Sequence, residues 1–186
     1  MNCSPQTHAS STFGTSTDDS YRAVSDLQRF IDAQDHGTKK FGFRTPPLST
    51  ALQELRNGEK ITHWIWYVLP QFPHPSSTTE ISRHFAISST NEAVAYLQNE
   101  ILRSRYVQTT STILGHLTSG FDPESLMGDD VKKLASSVTL FSLTAESFGD
   151  DEVLSVTTAI LDQLEHGSCK LNACALTIDW FTAQST

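Results

Sequence analysis

The run Gly58-Glu59-Lys60-Ile61-Thr62-His63-Trp64-Ile65-Trp66-Tyr67-Val68-Leu69-Pro70-Gln71 holds two of the chain's three tryptophans beside a histidine, a lysine and a glutamine. His63 could act as a general acid or base, since an unperturbed imidazole titrates near about pH 6.5. The same ring could instead hydrogen-bond the end of a neighbouring helix. Trp64 and Trp66 could stack on a nucleobase or another planar ligand, or fill a core as an aromatic wedge. Lys60 could meet a phosphate or carboxylate, or neutralise the carbonyls of a helix ending at Gly58. The carboxamide of Gln71 could read a ligand edge, or satisfy backbone at the turn after Pro70.

A second group lies far along the chain. Lys133 precedes Ser136 by three residues, which puts both on one helical face and makes cooperation between them geometrically feasible. The pair Ser136-Ser137 interrupts an apolar helix, where hydroxyls compete with the backbone for hydrogen bonds. Such a pair could line a polar cleft or let two helices approach closely. Neither serine has the Gly-x-Ser-x-Gly context of a hydrolase nucleophile.

Several chemistries are excluded by absence of their motifs. The histidines form no His-x-x-x-His or His-Glu-x-x-His pair, and Cys169 and Cys174 have no second cysteine pair, so no metal site is expected. No glycine-rich phosphate loop or dinucleotide fingerprint is present, and no cofactor is expected. A net charge of −8 and a pI near 5.2 argue against general nucleic-acid binding or an anionic membrane surface. Three cysteines, one in the N-terminal segment, fit a reducing compartment, and with no secretory or mitochondrial leader and no apolar span, a cytoplasmic protein is expected.

Positioning these groups requires a core, and 186 residues with 38% hydrophobic content suffice for one. Residues 1–22 are rich in Ser and Thr and read as a disordered tail, leaving residues 23–186 as a single helical domain. Leu27, Phe30, Ile31 and Ala33 share a helical face that His36-Gly37 closes. Residues 37–48 form a loop with two prolines and the densest positive charge in the chain, Lys39, Lys40 and Arg44. Thr50 with Gln53 resembles a capping box for a short helix stopped by Gly58. Residues 63–69 fit neither period cleanly. Thr78 or Thr79 caps a helix through Ile81, Phe85 and Ile87, and Ser89 with Glu92 opens a long helix reaching Leu117. Asp122-Pro123 starts a short helix, Asp129 another, and Asp150-Asp151-Glu152 the last long one. The segment after Lys170 is apolar enough to dock as one more helix. These elements predict an all-α fold, a compact irregular bundle of about six or seven helices.

Several blocks carry a family resemblance: Phe30-x-x-Ala33-Gln34, then Ala51-Leu52-x-Glu54-Leu55-x-x-Gly58-x-Lys60-x-x-His63-Trp64-x-Trp66-x-x-x-Pro70-Gln71. Glu92-Ala93-x-x-Tyr96-Leu97 and Lys133-Leu134-x-Ser136-Ser137-x-Thr139-Leu140-Phe141 follow. Over residues 25–167 the chain resembles the domain-of-unknown-function 1810 family, sometimes misleadingly labelled calpastatin-like. The resemblance implies a compact, mainly helical domain and carries no established activity. Two departures stand out. Phe72-Pro73-His74-Pro75-Ser76-Ser77 puts prolines where the family usually has a glycine-containing loop, and the segment after Gly167 lacks the usual ending.

Taken together, the residues suggest a small polar or anionic ligand bound in a pocket of Lys60, His63, Trp64, Trp66, Gln71, Lys133, Ser136 and Ser137. Two alternatives remain open: an enzyme using His63 as acid/base on an anionic or nucleotide-like substrate, and a protein-interaction module using the loop after Gly37 and the tail.

Overall fold

The computed structural model describes residues 18–75 and 78–184, with side chains from residue 27 onward. Among these residues there are ten α-helices, one 3-10 turn and no β-strand, so the fold is all-α. In chain order the helices are α1 (Asp18–His36), α2 (Leu48–Arg56), α3 (Ile65–Val68), α4 (Glu80–His84), α5 (Thr90–Gln98), α6 (Glu100–Thr118), α7 (Pro123–Met127), α8 (Val131–Phe148), α9 (Asp151–His166) and α10 (Ala175–Gln184). The 3-10 turn Gly128–Asp130 joins α7 to α8. Seven helices have nine residues or more and α3, α4 and α7 are single turns, so the total of ten among the described residues exceeds the six or seven expected. No described helix is long and apolar enough to cross a membrane.

Of the expected disordered tail, residues 1–17 lie outside the described residues, while residues 18–22 belong to α1.

Five of the ten helix starts carry a side-chain cap. Thr79, Ser89, Asp122 and Asp150 each accept a hydrogen bond from the backbone N–H three residues on. Two expectations are corrected. Helix α2 begins at Leu48 after Pro47, without a side-chain cap, so Thr50 and Gln53 lie inside it rather than at its mouth. The long helix expected from Ser89 to Leu117 is two helices. Asn99, with φ −77° and ψ 111°, leaves the helical region, and its side chain accepts from Leu102 N to start α6.

The core is organised around α8, which packs against α5, α9 and α10. Leu134, Val138, Leu140, Phe141 and Ala145 are fully buried on it. Phe141 meets Tyr96 and Tyr106 at ring-centroid distances of 5.1 and 4.5 Å. Burying each large side chain contributes about 1.5–3 kcal/mol. The buried hydroxyls of Thr139, Thr144 and Thr157 are satisfied by the carbonyl four residues earlier in their own helices.

The turn after α2 fixes the next segment. Gly58, at φ +82°, donates to Leu55 O, and Glu59 donates to Glu54 O, the two bonds of a Schellman motif. An added Cβ on Gly58 would lie 2.7 Å from the Phe121 ring. The chain thus turns back along α2, and the Glu54 carboxylate reaches it. One Glu54 oxygen accepts from Ile61 N, Thr62 N and Trp64 Nε1 at 2.9, 3.1 and 2.7 Å; the other accepts from Thr62 Oγ1 at 2.6 Å.

Burial alone would raise the Glu54 pKa, but these hydrogen bonds, led by Thr62, outweigh it and hold the carboxyl below its ordinary range. A depressed folded-state pKa stabilises the fold above the unfolded value of about 4.3, and the contribution is lost as the pH falls through the folded pKa. Glu54→Gln should therefore cost about 3 kcal/mol in urea unfolding at pH 7, and the gap to wild type should narrow below about pH 4. An equal gap at both pH values would contradict the assignment.

Candidate functional site

A groove of about 580 Å³ opens beside the N-terminal half of α8. Its walls come from α3, from Gln71, His74, Thr78 and Thr79, from α4 and from the connection between α9 and α10. Four residues expected from sequence line it together: Trp66, Gln71, Lys133 and Ser136. They come from stretches more than sixty positions apart and meet only because α8 packs beside the α3 turn.

Trp66 is held half-buried by the short α3 turn, with the Lys133 ammonium 4.8 Å from its ring centroid. Such a contact favours a cation over an aromatic face. Lys133 also forms an ion pair with Asp130, one turn earlier. Asp130 accepts from a second lysine: the Lys60 ammonium lies 2.5 Å from its other oxygen. Burial opposes ionisation of Asp130, but the hydrogen bonds from Lys133 and then Lys60 dominate and hold its carboxyl below the usual range. Two lysines against one carboxylate leave a net positive charge beside Trp66.

Lys60 is buried within this arrangement, its side chain only 6% exposed. Besides Asp130 it donates to Thr62 O at 2.7 Å and lies 5.0 Å from the Trp64 ring centroid. It does not line the groove, because its charge is spent internally. Trp64 is also core: its ring is fully buried and its Nε1 bonds Glu54.

His63 stands exposed, its ring edge-on to Phe43 at 5.8 Å, and does not line the groove. Ser137 is fully buried against Tyr106, whose hydroxyl is 3.4 Å from Ser137 O. The two serines thus divide the roles the sequence left open. Ser136 lines the groove and lies 3.1 Å from Thr177 Oγ1 of α10, whereas Ser137 allows close packing. Lys133 turns to Asp130 rather than Ser136, so the pair is not arranged for nucleophilic catalysis.

Sequence reasoning missed other lining groups. His74, Thr79, Ser82, Asp129, Lys132 and Asn172 also line the groove, with the Thr79 hydroxyl donating to that of Ser82 at 2.8 Å. Lys132 was legible as the neighbour of Lys133. Asn172 and His74 had no signal, since loops alone bring them there. Ser76 and Ser77 of the proline-containing segment lie outside the described residues. Among the described residues no group of three or more His, Cys, Asp or Glu side chains could hold a metal ion.

Comparison with known proteins agrees with this architecture. The chain is similar to the crystal structure of the conserved hypothetical protein Rv1873 from Mycobacterium tuberculosis. The TM-score is 0.63 and the identity 26%, over 84% of this chain and 96% of that one. No curated protein matches. The model of the family described as protein of unknown function (DUF1810) matches residues 24–173, and the chain belongs to that family.

Proposed function

We propose that the chain binds a small polar, anionic ligand in the groove beside α8. One observation carries this reading: Trp66, Gln71, Lys133 and Ser136, four of the eight residues singled out by residue type and by their place in the family pattern, line a single groove. The indole offers a flat apolar surface, the lysines a charge, and the carboxamides and hydroxyls directional hydrogen bonds. That mixture suits a planar or ring-bearing molecule with a phosphate or carboxylate. Lys132, which is exposed, adds a second cation, and Asp129 on the same wall adds a carboxylate that opposes it.

The ammonium of Lys133 is already positioned by Asp130, so little side-chain entropy remains to be lost when a ligand binds. Acid–base chemistry by His63 finds no support, because that ring stands apart from the groove.

A thermal-shift panel of nucleotides, ADP-ribose derivatives, sugar phosphates and acyl compounds tests the reading. A ligand at about 100 times its Kd adds roughly 2.7 kcal/mol, a rise on the order of 5–10 °C for a chain of this length. Lys133→Met and Trp66→Ala should each abolish the shift while remaining folded. A shift that survives both substitutions would remove the groove as the site.

His63→Ala should leave both the ligand shift and the unfolding free energy within about 0.5 kcal/mol of wild type, as expected for an exposed ring. Trp64→Ala should instead cost about 3–5 kcal/mol, because it empties the core and removes a donor from Glu54. Equal costs for the two variants would contradict the division between surface and core.

A further inference from the structure

A larger groove, of about 860 Å³, shares no lining residue with the first. It lies between the C-terminal end of α1, the loop of residues 37–47 and the end of α4. We propose that this groove docks an acidic peptide segment of a partner protein. The proposal does not depend on the ligand groove.

Charge is the first argument. Lys39, Lys40 and Arg44 are exposed on the loop, and none of them forms an ion pair among the described residues. Arg29 also lines the groove but is committed to Glu92 at 2.6 Å and to two backbone carbonyls. Asp32 is the single lining carboxylate, and it accepts from Gln28. Three uncommitted cations therefore face one acid, in a chain whose net charge is −8. An acidic partner is repelled by most of this surface and attracted here, which orients its approach.

The loop presents these cations from a fixed backbone. Thr38 and Thr45 form an antiparallel bridge, with Thr45 N donating to Thr38 O at 2.8 Å and Thr45 Oγ1 accepting from Thr38 N at 3.0 Å. Gly37 at φ +66° permits the tight crossing; a Cβ there would lie 2.0 Å from Thr45 O. Beyond the bridge, the Tyr67 hydroxyl donates to Pro46 O. Burial pushes that phenol up to about 12, so it remains a donor throughout the physiological range. Little backbone entropy is left to lose on binding.

The groove also distinguishes a peptide from a lone phosphate. It adjoins the C-terminal end of α1, where the helix dipole disfavours any anion, so the attraction comes from the three loop cations. Anion recognition rests on dispersed side chains, which matches carboxylates spaced along a chain. Ala33, Pro46 and Phe85 provide an apolar lining for interleaved aliphatic side chains.

Fluorescence anisotropy on the full chain tests this, using a fluorescein-labelled peptide in which glutamates alternate with leucine and alanine. The expected result is binding that weakens as salt rises from about 50 to 300 mM. The Lys39→Glu/Lys40→Glu/Arg44→Glu variant should lose roughly tenfold or more in affinity with its circular dichroism and Tm unchanged. Replacing the same three residues by Gln should give a smaller loss, and Arg56→Glu on exposed α2 should give none. No binding by wild type, or equal binding by the charge-reversed chain, would overturn the proposal. Displacement of the peptide by an oligonucleotide of equal charge, or by inorganic triphosphate, at equal concentration would also overturn it, reducing the groove to a general anion site.

Discussion

A buried carboxylate costs several kcal/mol of lost hydration unless donors surround it, and Glu54 has four. Those donors come from three residues that leave α2 through a reversing turn, so the carboxylate dictates where the chain goes next. Trp64 enters the core with its Nε1 on Glu54, and the single turn of α3 follows from that anchor. Without the carboxylate, the backbone N–H groups of Ile61 and Thr62 would lose their acceptor, and α3 would lose one of the anchors that set the angle at which Trp66 emerges.

From Trp64 a line of alternating rings and charges leads outward. Lys60 lies over Trp64, Asp130 joins Lys60 to Lys133, and Lys133 lies over Trp66 at the groove. Each charge has an opposite partner or an aromatic face, which is how two lysines and an aspartate tolerate so little water. The inner lysine is spent on structure, whereas the outer one is 30% exposed and keeps access to solvent. Ser136, three residues beyond Lys133, adds a hydroxyl on the same side of α8 and touches α10 through Thr177. The core and the groove are therefore built from the same small set of side chains.

The sequence revealed the parts of this arrangement that are local. Caps at Ser89, Asp122 and Asp150 act over three residues, so their helices were legible. Asn99 was not, because nothing in the apolar stripe on either side marks a residue whose side chain caps the following helix better than it continues the preceding one. Trp64 and Trp66 look alike in sequence, yet two residues along a helical turn separate side chains by about 200°, which sends one inward and one to the groove. His63 had the right chemistry but the wrong direction. Glu54 was visible only as a member of the family pattern, since its partners lie seven to ten residues away across a reversing turn. The meeting of Lys133 with Trp66 is a matter of packing between distant segments, and spacing does not encode it.

In the proposed function Trp66 meets ligand, while Trp64, two residues earlier, is fully buried with its Nε1 on Glu54. Nitrogen–proton spectra of the three tryptophan indoles, recorded while the wild-type chain is titrated with sugar phosphates and nucleotides, test it directly. The Trp66 indole signal should move with a saturating ligand, and the Trp64 signal should stay in place, protected by its bond to Glu54. A titration that moves the Trp64 signal and leaves Trp66 unchanged, or that moves neither across the whole series, would contradict it.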